Sequence, residues 1–145
     1  MKRVIIDTNM LLVPGQFTVD IFTELDRVVE ESYTVEILNR SLEELARIAS
    51  GASGSSADDR RAAKLATLLV EHQKARDWAA SSGSQCKGLK IIPGSADQHV
   101  DDAIVAIADD DSLVATNDGG LKRRLLERGV RVIFLKANKY LAIAD

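Results

Sequence analysis

Cysteine is nearly missing from this chain of 145 residues: Cys86 stands alone. That excludes an internal disulfide and a cysteine-built zinc fold, and it suits a reducing compartment. Histidine is almost as scarce, with only His72 and His99, so a metal site in this chain is expected to be rich in oxygen ligands. Long apolar runs are also lacking. Met1-Lys2-Arg3 is followed by Val4, Ile5 and Ile6 before the acid Asp7, too short a run for a signal peptide, and no later stretch approaches a membrane span. A cytoplasmic location without a membrane partner is expected. Net charge is modest at -3, which taken alone weighs against nucleic acid. No internal repeat divides the sequence, and its length suits one domain, residues 1–145, able to bury a core without staples.

What is present alternates. Arg3–Ile6 is a short apolar run that stops on Asp7-Thr8-Asn9, the pattern of a strand buried on both faces. Further strands are expected at Tyr33–Leu38, Leu89–Ile92, Ser112–Ala115 and Val130–Leu135. Between them, helical periodicity covers Thr18–Val29, Asn39–Ile48, Ala57–Ala80, Gln98–Ala108 and Leu121–Arg128, with Pro14-Gly15 reading as a turn. Strands that alternate with helices imply an α/β fold, a parallel sheet wrapped on both sides, because each crossover is long enough for a right-handed unit.

Charge is unevenly distributed. From Leu121 to Asp145 seven bases face two acids, a net +5, so the remainder carries -8. A basic end on an acidic body fits a surface for a phosphate backbone beside a site for cations, and equally a solvated helix face.

Four acids share one topological position: Asp7, Glu44, Asp102 and Asp118 each follow a strand and precede or open a helix. Each has a local structural role open to it. Asp7 can make an Asx turn, Glu44 can complete a capping box with Ser41, Asp101 and Asp102 can complement a helix dipole, and Asp118 can cap a helix after a glycine-rich turn. Exits of parallel strands lie along one edge, however. Carboxylates crowded there repel by about 4 kcal/mol per pair at roughly 4 Å and an effective dielectric near 20, which a fold tolerates with the help of cations. An oxygen-rich cluster suits Mg²⁺ or Mn²⁺, and the matching chemistry is metal-assisted phosphodiester hydrolysis. Two other acidic α/β sites are disfavoured. Ile91-Ile92-Pro93-Gly94 lacks the phosphoacceptor acid of a receiver domain, and Asn9 stands where an aspartyl phosphatase needs its second acid.

The ordered set Asp7-Thr8-Asn9, Glu44-Leu45, Asp102-Ala103-Ile104-Val105-Ala106 and Thr116-Asn117-Asp118 resembles the PilT N-terminus (PIN) domain nucleases over nearly the whole chain. The resemblance implies a three-layer α/β/α sandwich around a five-stranded parallel sheet of order 3-2-1-4-5, and Mg²⁺- or Mn²⁺-dependent cleavage of single-stranded RNA. It implies Asp7, Glu44, Asp102 and Asp118 as the catalytic, metal-binding acids, supported by Asn9 and Thr116. Asp101 is a further candidate ligand, since the doublet leaves the register open by one residue. Lys122, Arg123 and Arg124 would hold RNA phosphates. Two branches of the family are compatible, VapC-type toxins held by an antitoxin and a ribosomal-RNA-processing branch. Val114-Ala115-Thr116-Asn117-Asp118, Leu121-Lys122-Arg123-Arg124 and the closing Lys139-Tyr140 look more like the second or its archaeal VapC-like relatives. A zinc ribbon or added RNA-binding module is lacking, so recruitment by a ribosome-assembly partner, or pairing as a homodimer, is expected. A PIN-like scaffold that binds RNA or protein without cutting is the competing reading.

Overall fold

The structure, a computed structural model, describes residues 1–78, 83–94 and 97–145. Its centre is β1 (Lys2–Ile6), paired in parallel with β2 (Tyr33–Leu38) on one side and β4 (Ser112–Ala115) on the other. β3 (Cys86–Ile92) lies outside β2 and β5 (Arg131–Lys136) outside β4, both parallel. Alternation along β1 explains its position: Val4 and Ile6 belong to one buried cluster and Ile5 to the other, so both faces need a covering layer.

The first face is covered by α1 (Thr8–Leu11), α2 (Val13–Phe17), α3 (Ile21–Val28), α4 (Asn39–Ser50) and α5 (Ala57–Ala75). The second is covered by α6 (Val100–Ile107) and α7 (Gly119–Glu127). The chain thus builds β1, β2 and β3 outward in one direction, then returns to lay β4 and β5 on the other side of β1. The reversal falls between β1 and β4, where an open α/β sheet leaves a crevice at its carboxyl edge.

A sixth strand completes the sheet, giving the order β3-β2-β1-β4-β5-β6. The five-strand expectation stopped short of β6 (Tyr140–Ala144), which runs antiparallel to β5. The two strands are joined by Ala137 and Asn138, both at φ 55, with the Lys139 N–H donating to the Lys136 carbonyl at 3.1 Å. Two successive left-handed residues make the mirror-image turn that suits a hairpin's twist, normally signalled by Asn-Gly or Asp-Gly. Here Ala-Asn takes its place, which hides the hairpin from a sequence reading. β6 is fastened to α3: the Leu141 N–H donates to Glu24 Oε1 at 3.0 Å, and Arg27 donates to the Leu141 carbonyl at 2.6 Å.

Local boundaries depart from expectation in several further places. Pro14-Gly15 is not a turn but part of α2, where proline is tolerated because an N–H in the first turn has no helical acceptor. Gly15 is there for close approach: a Cβ on it would stand 2.5 Å from Ala62 Cα on α5. The helix expected from Thr18 begins at Ile21, capped by Asp20, whose Oδ1 accepts the Thr23 N–H at 3.1 Å, while Thr18 ends α2 at φ 56. The Ser41–Glu44 capping box does not form. The buried residue Leu38 leads β2 directly into α4, so the helix starts before Ser41, whose fully buried Oγ has no hydrogen-bond partner among the described residues. β3 begins at Cys86, earlier than the expected Leu89. The helix expected to reach Ala80 ends at Ala75, and Ala79, Ala80, Ser81 and Ser82 lie outside the described residues.

Candidate active site

Asp7 leaves β1 at the reversal point and is only 4% exposed. As the N-cap of α1 its Oδ1 accepts the Thr8 N–H at 2.8 Å, and its Oδ2 accepts the Thr116 hydroxyl at 2.8 Å. The local role Asp7 takes is therefore that of a helix N-cap bonded to the next residue's N–H, not an Asx turn closed two residues on, and it operates in the crevice. Burial pushes the Asp7 carboxyl from an ordinary 3.8 to about 6. The two hydrogen bonds oppose that rise, and the negative charges of Asp101 and Glu44 add to it.

β4 delivers Thr116 and Asp118 to the same edge. Thr116 is fully buried, and its Oγ1 both donates to Asp7 and accepts the Asp118 N–H at 3.1 Å. Asp118 is the N-cap of α7, its Oδ1 accepting the Leu121 N–H at 2.9 Å. Asn9 reaches across from α1: its Oδ1 accepts the Asn117 N–H at 3.1 Å. Asn117 in turn accepts the Leu135 N–H on Oδ1 at 2.8 Å. This relay of side-chain amides joins the exits of β1, β4 and β5, where parallel pairing has ended and backbone N–H groups need acceptors.

The acidic doublet on α6 divides. Asp101 senses Asp118 and is itself sensed by Asp7, and its carboxyl is raised by burial first and then by the charges of Asp118 and Asp102, against Arg124 and His99. Asp102 instead forms an ion pair with Arg124 at 2.9 Å. With His99 as N-cap, these acids are the second and third residues of the helix, which sends their side chains in different directions. Glu44, half-buried on α4, contributes its charge to Asp7 and makes no ion pair among the described residues.

The acids thus surround Asp7 electrostatically without forming a closed cage. Among the described residues, no three histidine, cysteine or acidic side chains stand close enough together to hold a metal on their own. The donor set around Asp7 is nonetheless all oxygen, and the buried carboxylate has no cationic partner among the described residues. That fits Mg²⁺ or Mn²⁺, ions that keep several waters and use one or two carboxylates together with substrate phosphates.

Comparison with known proteins decides the family at this point, since a sequence profile described as PIN like domain matches residues 4–138. The chain belongs to that family. Ribonuclease VapC4 of Methanocaldococcus jannaschii is 27% identical over 145 residues, spanning 99% of this PIN-like domain and 97% of the relative. Among solved structures, the PIN domain endonuclease Utp24 has a TM-score of 0.66 and 21% identity, covering 97% of this chain and 90% of that one. A domain of a functionally unknown protein from Methanocaldococcus jannaschii has a TM-score of 0.59 and 16% identity, covering 94% and 93%. Both structures share the PIN-like fold.

On α7, Lys122 Nζ lies 3.8 Å above the Phe134 ring centroid. Arg124 is engaged with Asp102, and Arg123 is exposed and makes no ion pair among the described residues. Sequence reasoning missed two aromatic residues, Phe134 beneath Lys122 and Phe17 in the same cleft. Neither belongs to a motif, and they meet Asn9, Thr116 and Asn117 around one cleft only in the tertiary fold.

Proposed function

We propose that this PIN-like domain is a Mg²⁺- or Mn²⁺-dependent endoribonuclease that hydrolyses phosphodiester bonds of single-stranded RNA. The observation that carries the proposal is Asp7: a carboxylate buried at the sheet reversal, hydrogen-bonded on both oxygens, facing other acids and with no cation beside it among the described residues. Family membership and the likeness to a relative named a ribonuclease support it.

The residues assigned as ligands are Asp7, Glu44, Asp101 and Asp118, with Asp102 at the rim. When bound, a divalent ion supplies Lewis acidity at the phosphoryl oxygen and makes water a competent nucleophile near neutral pH. The chain supplies the rest. Thr116 and the Thr8 N–H hold the Asp7 carboxylate in one orientation, so its remaining lone pairs are set before substrate arrives. Uncompensated acids repel a phosphate, which makes RNA binding at the cup conditional on the cation. Lys122 and Arg123 hold phosphates flanking the scissile one, and the products carry 5′-phosphate and 3′-hydroxyl ends.

The test is cleavage of an end-labelled single-stranded RNA with Mn²⁺, with Mg²⁺ and with EDTA, for wild type and Asp7→Asn. Metal-dependent cutting by wild type alone is expected. Cutting retained by Asp7→Asn removes the catalytic assignment, and binding without cutting by wild type favours the scaffold reading. Pre-RNA accumulation on depletion assigns the domain to ribosomal processing, whereas growth arrest relieved by a neutralising protein assigns it to the toxins. The assembly state, proposed as a homodimer, is read by light scattering.

A further inference from the structure

A cleft of about 460 Å³ adjoins the acids without containing any of them. That volume is within the roughly 300–1,000 Å³ range of small-ligand pockets. Thr116, bonded to Asp7 and Asp118, lines it with Asn9 and Asn117, and so do Phe17, Phe134 and Lys122. Phe17 is 40% exposed at the end of α2, an aromatic surface left open to solvent.

Two polar groups of the cleft, the amides of Asn9 and Asn117, have fixed orientations, while Gln16 and Asn138 also line it. The carbonyl oxygens of Asn9 and Asn117 each accept a backbone N–H, from Asn117 and Leu135 respectively. Both amide groups are thereby oriented, and each NH₂ remains a donor without a partner among the described residues. Lys122 adds an ammonium, held over Phe134. Beside the amides of Gln16 and Asn138, the cleft therefore presents two oriented amide donors, an ammonium and an aromatic surface, with no carboxylate among its lining residues. A flat, unsaturated ligand edged with acceptors complements it.

We propose that this cleft is a subsite for one unpaired keto base, guanine or uracil, of the strand being cut, stacked on Phe17 and hydrogen-bonded by Asn9 and Asn117. This inference rests on the nuclease reading for its substrate class. Guanine offers O6 and N7 as adjacent acceptors on one edge, and uracil offers the carbonyl acceptors O4 and O2 on either side of its N3–H. Adenine and cytosine place an amino donor where the cleft also holds donors. Stacking on an aromatic ring is available to every base, so Phe17 supplies affinity and the amides supply preference.

The experiment measures equilibrium binding of short oligo(U), guanine-containing and oligo(A) RNAs to the full chain with Ca²⁺, together with mapping of cleavage positions with Mn²⁺. Phe17→Ala, an exposed site where truncation leaves the core untouched, should weaken oligo(U) binding about tenfold. Asn117→Asp keeps the acceptor for the Leu135 N–H and replaces the donor with a second acceptor. The ratio of oligo(U) to oligo(A) affinity should then fall at least tenfold, a readout that added negative charge alone does not move. Equal affinity of wild type for U and A, or unchanged binding and preference in both variants, overturns the subsite while leaving a cutting enzyme in place. Base-selective binding by wild type without cleavage under any metal keeps the subsite and rejects the nuclease reading.

Discussion

Replacing Asp7 by Asn should stabilise the metal-free protein while abolishing its proposed activity. The native carboxyl is held at about 6 against an ordinary 3.8. Each pH unit is worth about 1.4 kcal/mol, so keeping Asp7 charged at neutral pH costs the native state about 3 kcal/mol. Between those two values the folded form binds more protons than the unfolded form. Stability therefore falls as pH rises through that window, and the penalty is complete above the folded value. Asparagine carries no charge, but its amide accepts through only one atom, whereas Asp7 accepts from both Thr8 and Thr116. Losing one of those bonds costs about 1 kcal/mol, leaving a net gain of about 2 kcal/mol. For a domain of this length that corresponds to a rise in Tm of about 4–8 °C. Thermal unfolding in EDTA at pH 7.5 measures it, and repeating the measurement down to pH 4 should close the gap as wild-type Asp7 becomes protonated. Adding Mg²⁺ should stabilise wild type and leave Asp7→Asn unchanged. A variant no more stable than wild type at pH 7.5, or a difference independent of pH, would refute the account of Asp7 as an uncompensated buried charge.

The division of the acidic doublet gives a second test: Asp101→Asn should lower kcat/KM about 10–100-fold. Asp102→Asn should cost little, because it releases only a half-exposed ion pair with Arg124. Replacing Lys122, Arg123 and Arg124 by neutral residues should weaken single-stranded RNA binding and reduce the slope of log K against log salt by about 0.7 for each phosphate no longer neutralised; an unchanged slope rejects their assignment. Gly15→Ala forces a Cβ into the backbone of α5 at Ala62, and urea unfolding should show a loss of about 1–3 kcal/mol.

The sequence exposed the architecture because the signals it carries are local. The buried run ending at Asp7, the helix-period segments and the common position of the acids after strands required no knowledge of packing. β6 escaped because its turn is built on Ala137-Asn138, and α2 escaped because Pro14 reads as a breaker until Gly15 is seen against Ala62. The capping box at Ser41 failed for a tertiary reason: the helix start is set by where β2 ends against the core. Which of Asp101 and Asp102 pairs with Arg124 depends on side-chain direction, visible only once α7 is brought alongside. Phe17 and Phe134 carry no periodic or motif signal for a site, so their cleft could be found only in three dimensions.

The amide relay from Asn9 through Asn117 to Leu135 has a consequence for the pattern of cuts. It ties three strand exits together, which sets the spacing between the carboxylates and the neighbouring cleft. On the proposed function and base subsite the domain would act as a ruler, with scission expected at one constant nucleotide offset from the bound base.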